Sequence, residues 1–133
     1  MTIFPNGSRA AINGTSTGYF TGQVRIDPVF DAEGAARASV GHVTFEPGAR
    51  TKWHTHPIGQ LLIVSQGSGY VCKAGEAPQP IRAGDVVWIA AGEKHWHGAT
   101  PDTAMGHFAV QEFLDGKNVD WLEPVSDADY TRR

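Results

Sequence analysis

The residues of this 133-residue chain with the clearest capacity for chemistry are its six histidines. Five of them fall in three segments that we interpret as strands: His54 and His56, His95 and His97, and His107. Alternate residues of a strand face the same side of a sheet, so each pair presents both imidazoles to one face. Gln60 follows His56 by four residues and shares that face.

If this face is the interior of a barrel, the five imidazoles converge with the carboxamide oxygen of Gln60 on one point. Such donors form a mononuclear site for a divalent transition metal. A single histidine is more often an ordinary hydrogen-bonded residue. Burying five of them on one apolar face without a metal or partners is costly, so the set predicts a metal centre.

Other reactive or aromatic residues are expected to lie outside this site. His42 shares its face with Thr44 and is predicted to be solvent-exposed and structural. Cys72 has no second cysteine to pair with and is expected to be a small buried apolar residue. The rings of Trp53 and Trp96 should point away from the histidines, into a second layer or a subunit interface.

Glycine and proline punctuate short runs of β-branched and aromatic residues along the whole chain. The predicted turns lie at 46–50, 66–69, 83–85 and 91–93. The predicted strands lie near 20–27, 40–46, 60–65, 69–74, 85–90, 95–99 and 105–113. We therefore expect an all-β barrel or sandwich, with residues 1–18 as an arm and a short terminal helix capped by Ser126.

Length and charge bound the remaining possibilities. A chain of 133 residues with 41% hydrophobic residues fits one domain. Its net charge of −3 offers no basic surface for nucleic acid or membranes. The apolar run 61–64 is too short to span a bilayer. A lone cysteine and the lack of a signal-like N-terminus favour a cytoplasmic location.

The two histidine segments resemble the two motifs of the cupin superfamily. The first motif resembles residues 48–67, with Gln60 where most cupins have Glu, and the second resembles 84–95, with Ala90 in place of the usual Pro. The resemblance implies one cupin domain over residues 1–133, a small antiparallel β-barrel or jelly roll. Cupins host many activities, so the fold alone does not give a function.

Longer strings are similar to the small bacterial cupin-type hydroxynitrile lyases, which cleave (R)-mandelonitrile and use manganese. The strings are 24–28, 44–51, 53–57, 92–98 and 114–117, within a resemblance that covers 19–131. It implies that the metal ligands are His54, His56, Gln60 and His95. It also implies that Thr51, His97, His107 and Gln111 line the reaction chamber. The resemblance further implies Mn²⁺ and a homo-oligomer, a dimer or tetramer; Fe²⁺, Ni²⁺ and Zn²⁺ are alternative ions for these donors.

Cyanohydrin cleavage to an aldehyde and hydrogen cyanide needs the substrate hydroxyl to lose its proton. Neutral ligands leave the full charge on a divalent ion, which lowers the pKa of a bound hydroxyl. A free imidazole can accept the proton, because its ordinary pKa is about 6.5. We favour His107 as this base, with His97 and Gln111 orienting substrate or cyanide, although His97 could exchange roles with it. An apolar wall for an aryl ring could come from Gly41, Val43, Phe45, Leu62 and Val64.

Two other functions would use the same ligands. A cupin dioxygenase would need a redox-active iron with open positions for oxygen and an enolic substrate. A binding module without catalysis would keep the pocket but would not need proton-transfer groups.

Overall fold

The computed structural model describes residues 1–133, and nearly all of its regular structure is β. The twelve strands are β1 (Ile12–Asn13), β2 (Phe20–Thr21), β3 (Val24–Asp31), β4 (Ala38–Phe45), β5 (Arg50–Thr51), β6 (His54–Thr55), β7 (Gln60–Lys73), β8 (Gln79–Arg82), β9 (Val86–Ile89), β10 (His95–Ala99), β11 (Met105–Glu112) and β12 (Asp120–Trp121). A 3-10 helix covers Gly14–Thr17, and the single α-helix, α1, covers Asp127–Thr131. The predicted all-β class is confirmed.

All strand pairs are antiparallel, and the strands form two curled, facing sheets. The first sheet contains β1, β3, β4, β11, the first half of β7, and β9. The second contains β2, β5, β6, β8, β10, β12 and the second half of β7. Strand β7, at 14 residues, therefore runs through both sheets.

The continuity of β7 corrects one prediction from the sequence. The sequence predicts a turn at 66–69, but this stretch lies inside β7, and the sequence gives no signal for β8. Gly67 has a φ of 72°, and a Cβ there would overlap the carbonyl oxygen of Ala104. The glycine thus allows a close approach of two strands, where β7 leaves β11 and continues into the second sheet.

The predicted turns at 46–50, 83–85 and 91–93 are confirmed. Each contains a glycine in the left-handed region, with φ of 82° at Gly48, 95° at Gly84 and 75° at Gly92. The terminal helix is also confirmed, because the Ser126 hydroxyl accepts a hydrogen bond from the Asp129 N–H at 3.1 Å. This five-residue helix is the longest α-helix, so no helix could span a membrane.

The C-terminal segment packs on the outside of the second sheet. Val125 and Tyr130 of this segment form one buried cluster with Trp53, Cys72 and Trp96. The two tryptophans therefore lie in a second layer made by the same chain, and Cys72 is buried as predicted. The C-terminal segment therefore packs against the outer face of the strands whose inner face carries the histidines.

His42 lies on the outer face of the first sheet. Its Nε2 is 2.7 Å from the Ser65 hydroxyl, and its ring packs edge-on against Phe108. It is half-buried rather than fully exposed, because Phe108 covers part of the ring. The prediction that it has a structural environment away from the site is confirmed.

Candidate metal centre

A cavity of about 320 Å³ lies between the two sheets. Seven of the predicted residues lie on its wall: Thr51, His54, His56, Gln60, His97, His107 and Gln111. Strand alternation directs all of them there except His56, which lies just beyond the end of β6. His95 is not on this wall, but its Nε2 lies 3.1 Å from Gln60 Oε1 and so belongs to the same cluster. The volume is within the range of small-molecule sites.

Three of the histidines are oriented by backbone carbonyl groups. The Nδ1 atoms of His54, His56 and His95 lie 2.8, 2.6 and 2.8 Å from the carbonyl oxygens of Lys52, Asn118 and Glu93. A carbonyl oxygen can only accept, so Nδ1 carries the proton in each ring. The Nε2 atoms of the three neutral rings are then free to bind an ion.

The distances between ring nitrogens group His54 and His95 with His97 rather than with His56. Ring nitrogens of His54, His95 and His97 all lie within 4.8 Å of one another. His56 lies beside them, with its ring centroid 5.1 Å from that of His54, and its buried Nε2 has no hydrogen-bond partner. The structure thus brings all four rings together, and His97 belongs to the same cluster of ring nitrogens as His54 and His95.

His97 differs from the other three because it contacts a second imidazole. Its Nδ1 is 2.9 Å from Nε2 of His107, so one proton lies between the two rings. Both side chains are almost fully buried, at 3% and 0% exposure. The outer nitrogens, His97 Nε2 and His107 Nδ1, have no partner in the protein. This pair therefore retains an unused lone pair inside the cavity wall.

Burial keeps these imidazoles neutral. It lowers the pKa of His95 to about 4 and that of His107 to about 3. The pKa values of His54 and His97 are well below 6.5, first because of burial and then because of neighbouring histidines. Neutral imidazole is the form that binds a metal or accepts a proton, and the same burial makes each of these rings a weaker base than a free imidazole.

The two remaining predicted residues are engaged by hydrogen bonds within the protein. Gln111 accepts a hydrogen bond on Oε1 from Gln60 Nε2 at 3.1 Å. The Thr51 hydroxyl oxygen accepts one from the backbone N–H of His97 at 3.2 Å. Thr51 thereby fixes the strand that carries His97.

Sequence reasoning missed several contributors to the site. Trp121 packs against the His54 ring at a centroid distance of 4.8 Å, and Asn118 orients His56 through its carbonyl group. Asp31, the one charged residue of the lining, lies near the end of β3. No residue type or spacing in a sequence marks a backbone carbonyl group that will accept a hydrogen bond from a histidine. The string 114–117, which ends one residue before Asn118, is the nearest sequence signal.

The apolar wall is partly as predicted. Gly41, Val43 and Phe45 line the cavity, whereas Leu62 and Val64 are buried in the apolar core behind it. A Cβ on Gly41 would meet only the Asp27 carbonyl oxygen, at 3.9 Å. The glycine therefore leaves open space in the wall.

The donor set fits a divalent transition metal. Fixed Nδ1 protons leave imidazole lone pairs at the centre, and His56 Nε2 is a buried polar atom that lacks a protein partner. Gln60 adds a carboxamide oxygen beside His95. Nitrogen and oxygen donors of this kind bind manganese, iron, nickel or zinc.

Comparison with known proteins agrees with this geometry. Residues 41–110 match the family model described as a cupin domain. The chain is 57% identical over 132 residues to an "(R)-mandelonitrile lyase" of Granulicella tundricola, covering 99% of this chain and 100% of that one.

Solved structures show the same fold. A cupin-like protein of Thermotoga maritima has a TM-score of 0.82 at 39% identity, covering 98% of this chain and 95% of that one. A cupin-2 domain protein of Rhodospirillum rubrum has a TM-score of 0.72 at 18% identity, covering 96% and 82%.

The buried histidines predict acid sensitivity of the metal-free protein. Between about pH 6.5 and 3, the unfolded chain binds a proton at His107 that the folded chain does not, so stability falls as pH falls. From pH 7 to pH 5 this one group should lower the free energy of unfolding by about 2 kcal/mol. Urea unfolding of chelator-treated protein measures the change. The His107→Leu variant should lose correspondingly less over this interval, and equal losses in both proteins would contradict the prediction.

Proposed function

The chain belongs to the cupin family, and on that premise we propose that it is a metal-dependent hydroxynitrile lyase. The reaction is the reversible cleavage of an aromatic cyanohydrin such as (R)-mandelonitrile to an aldehyde and hydrogen cyanide. The relative from Granulicella tundricola, similar over nearly the whole of both chains, supports this substrate class.

The observation that carries the proposal is the neutral His97–His107 pair beside three carbonyl-oriented histidines. His54, His56 and His95 share one arrangement, in which Nδ1 donates to the backbone. We propose them as ligands, with Gln60 through its side-chain oxygen. His97 lies in the same cluster but has its Nδ1 against His107, so we propose a different role for it.

Manganese is the ion we propose for this site, and when bound it supplies Lewis acidity to the substrate oxygen. All four proposed ligands are neutral, so none of them reduces the charge of the ion. The proton then needs a protein acceptor. The centroid of the His97 ring lies 5.2 Å from that of His54, whereas His107 lies behind His97.

We propose that the His97–His107 pair accepts the hydroxyl proton. As the O–H proton moves to the pair, the O–H electron pair forms the carbonyl double bond of the aldehyde. The carbon–carbon bond to the nitrile breaks at the same time, and its electron pair leaves with cyanide. The pair then returns the proton to cyanide, which leaves as hydrogen cyanide. The sequence favours His107 as the base, and the contact between the two rings supports the proposal that they act together.

The aryl group is proposed to lie against Gly41, Val43 and Phe45. These residues give the cavity an apolar side opposite the histidines of the second sheet. The open space at Gly41 suits a ring larger than an alkyl chain.

We further propose that the protein is a homodimer formed by the outer face of the first sheet. Two aligned rows of apolar side chains cross it: Trp88, Leu61, Val110 and Val40, and Val86, Ile63 and Phe108. Val86 and Trp88 are 63% and 64% exposed. A two-fold axis through this face would pair each apolar row with another, with no charged side chain among them.

The expected cytoplasmic location and the single domain over residues 1–133 stay predictions.

Removal of one proposed ligand should remove the metal. His54→Ala protein reconstituted with Mn²⁺ should hold far less than one ion per chain and should release no cyanide from racemic mandelonitrile. Its control, His42→Ala, should keep both. Assays under nitrogen separate the lyase from a dioxygenase, because cyanide release consumes no oxygen. Stoichiometric metal in His54→Ala would refute the ligand set.

Removal of either proton-accepting ring should spare the metal. His97→Ala and His107→Ala should each lower mandelonitrile turnover by about 10²–10⁴-fold, the usual contribution of a positioned base. Manganese content, measured on the same samples, should remain near that of the unaltered protein. Loss of metal from His97→Ala would make His97 a ligand, and unchanged turnover in both variants would exclude the pair as base.

A charge on the apolar face should separate the subunits. Val86→Glu should convert a dimer to a monomer in light scattering at micromolar concentration. Ile3→Glu, which alters an apolar residue exposed elsewhere, in the N-terminal arm, should leave the assembly unchanged. A monomeric unaltered protein would overturn the proposal.

A further inference from the structure

A chain of hydrogen bonds leads from the cavity rim to Gln60. The Ser39 hydroxyl donates to Asp31 Oδ1 at 2.7 Å. Gln111 Nε2 donates to the Ser39 carbonyl oxygen at 3.1 Å, and Gln60 Nε2 donates to Gln111 Oε1 at 3.1 Å. Ser39 and Gln60 are both buried, at 8% and 4% exposure.

The direction of this chain is set by the Ser39 carbonyl oxygen, which can only accept. Gln111 must therefore turn its amide nitrogen toward Ser39, which leaves its oxygen facing Gln60. Gln60 must in turn donate from its nitrogen, which leaves Gln60 Oε1 facing the histidines. Two side-chain amides are thus oriented by one backbone group.

The orientation of Gln60 matters because of what it faces. His95 Nδ1 donates to the Glu93 carbonyl, so Nε2 of the neutral ring carries a lone pair. Gln60 Oε1 lies 3.1 Å from that Nε2, so two acceptor atoms face each other with no proton between them. A cation held by these two atoms would remove this repulsion. A reversed Gln60 amide would instead donate N–H to Nε2 and occupy the lone pair.

We infer that Gln111 is a positioning residue that keeps the Gln60 oxygen directed at the metal site. This inference rests on the ligand set of the proposed function. Both polar atoms of Gln111 are already engaged, Nε2 by Ser39 and Oε1 by Gln60. We therefore assign Gln111 a role that acts through Gln60, in place of the sequence-based prediction that it orients substrate or cyanide.

The test is the affinity for Mn²⁺ of the full-length chain after chelator treatment. Gln111→Met keeps the length of the side chain but releases Gln60 to reverse. Its dissociation constant should rise about 10–100-fold, the usual effect of losing a group that orients a ligand. The six-line electron paramagnetic resonance signal of free Mn²⁺ gives this constant without an activity assay. Gln66→Met, the same change at an exposed glutamine of β7, should leave it unchanged.

A second background separates orientation from packing. A carboxylate presents oxygen in either rotamer, so Gln60→Glu does not need Gln111 to orient it. In that background, Gln111→Met should change the Mn²⁺ dissociation constant by less than about 2-fold. Equal losses in both backgrounds would overturn the inference, because the effect would then be one of packing. So would an unchanged constant in Gln111→Met alone.

Gln60→Ala distinguishes this inference from the proposed function. If Gln60→Ala weakens Mn²⁺ binding and Gln111→Met does not, the ligand assignment stands and the positioning role is refuted. If Gln60→Ala binds Mn²⁺ as tightly as the unaltered chain, Gln60 is not a ligand, and the positioning role is refuted with that assignment. Cyanide release by the unaltered chain reports on the lyase independently of both results.

Discussion

The site depends on burying several imidazoles as neutral rings with their lone pairs directed to one place. His54, His95 and His107 are at most 1% exposed, and an unpaired polar group in such a position is costly. The backbone carbonyls of Lys52 and Glu93 reduce this cost for two of the rings and fix their tautomers at the same time. The same hydrogen bonds that make burial tolerable therefore leave the opposite nitrogens available for chemistry.

This requirement ties the site to parts of the chain that carry no reactive side chain. His56 is oriented by the carbonyl of Asn118, in the segment between β11 and β12. Trp121, which follows, packs against His54 on one side and stacks on Tyr19 at 4.7 Å. The segments before β3 and after β11 thus close the cavity and set the ring positions together. An accurate site requires both segments to be in place.

The neutral amide at Gln60 has a chemical advantage and a structural cost. A carboxylate in its place would reduce the charge of a bound ion, whereas the amide leaves that charge intact. An amide has an accepting end and a donating end of nearly equal size, so it needs a partner that tells them apart. Ser39 supplies this partner through Gln111, because its carbonyl oxygen accepts and never donates.

The sequence by itself determined which residues share a face. The two-residue period of strands placed His54, His97, His107 and Gln111 on the cavity wall, and glycine turns placed most strand ends. It could not show that β7 continues through 66–69, because that depends on pairing with strands distant in the chain. It also could not show which atoms meet: the contact of His97 with His107, or the chain from Ser39 to Gln60, joins separate strands. Local periodicity sets the direction of a side chain, whereas sheet pairing sets its hydrogen-bond partner.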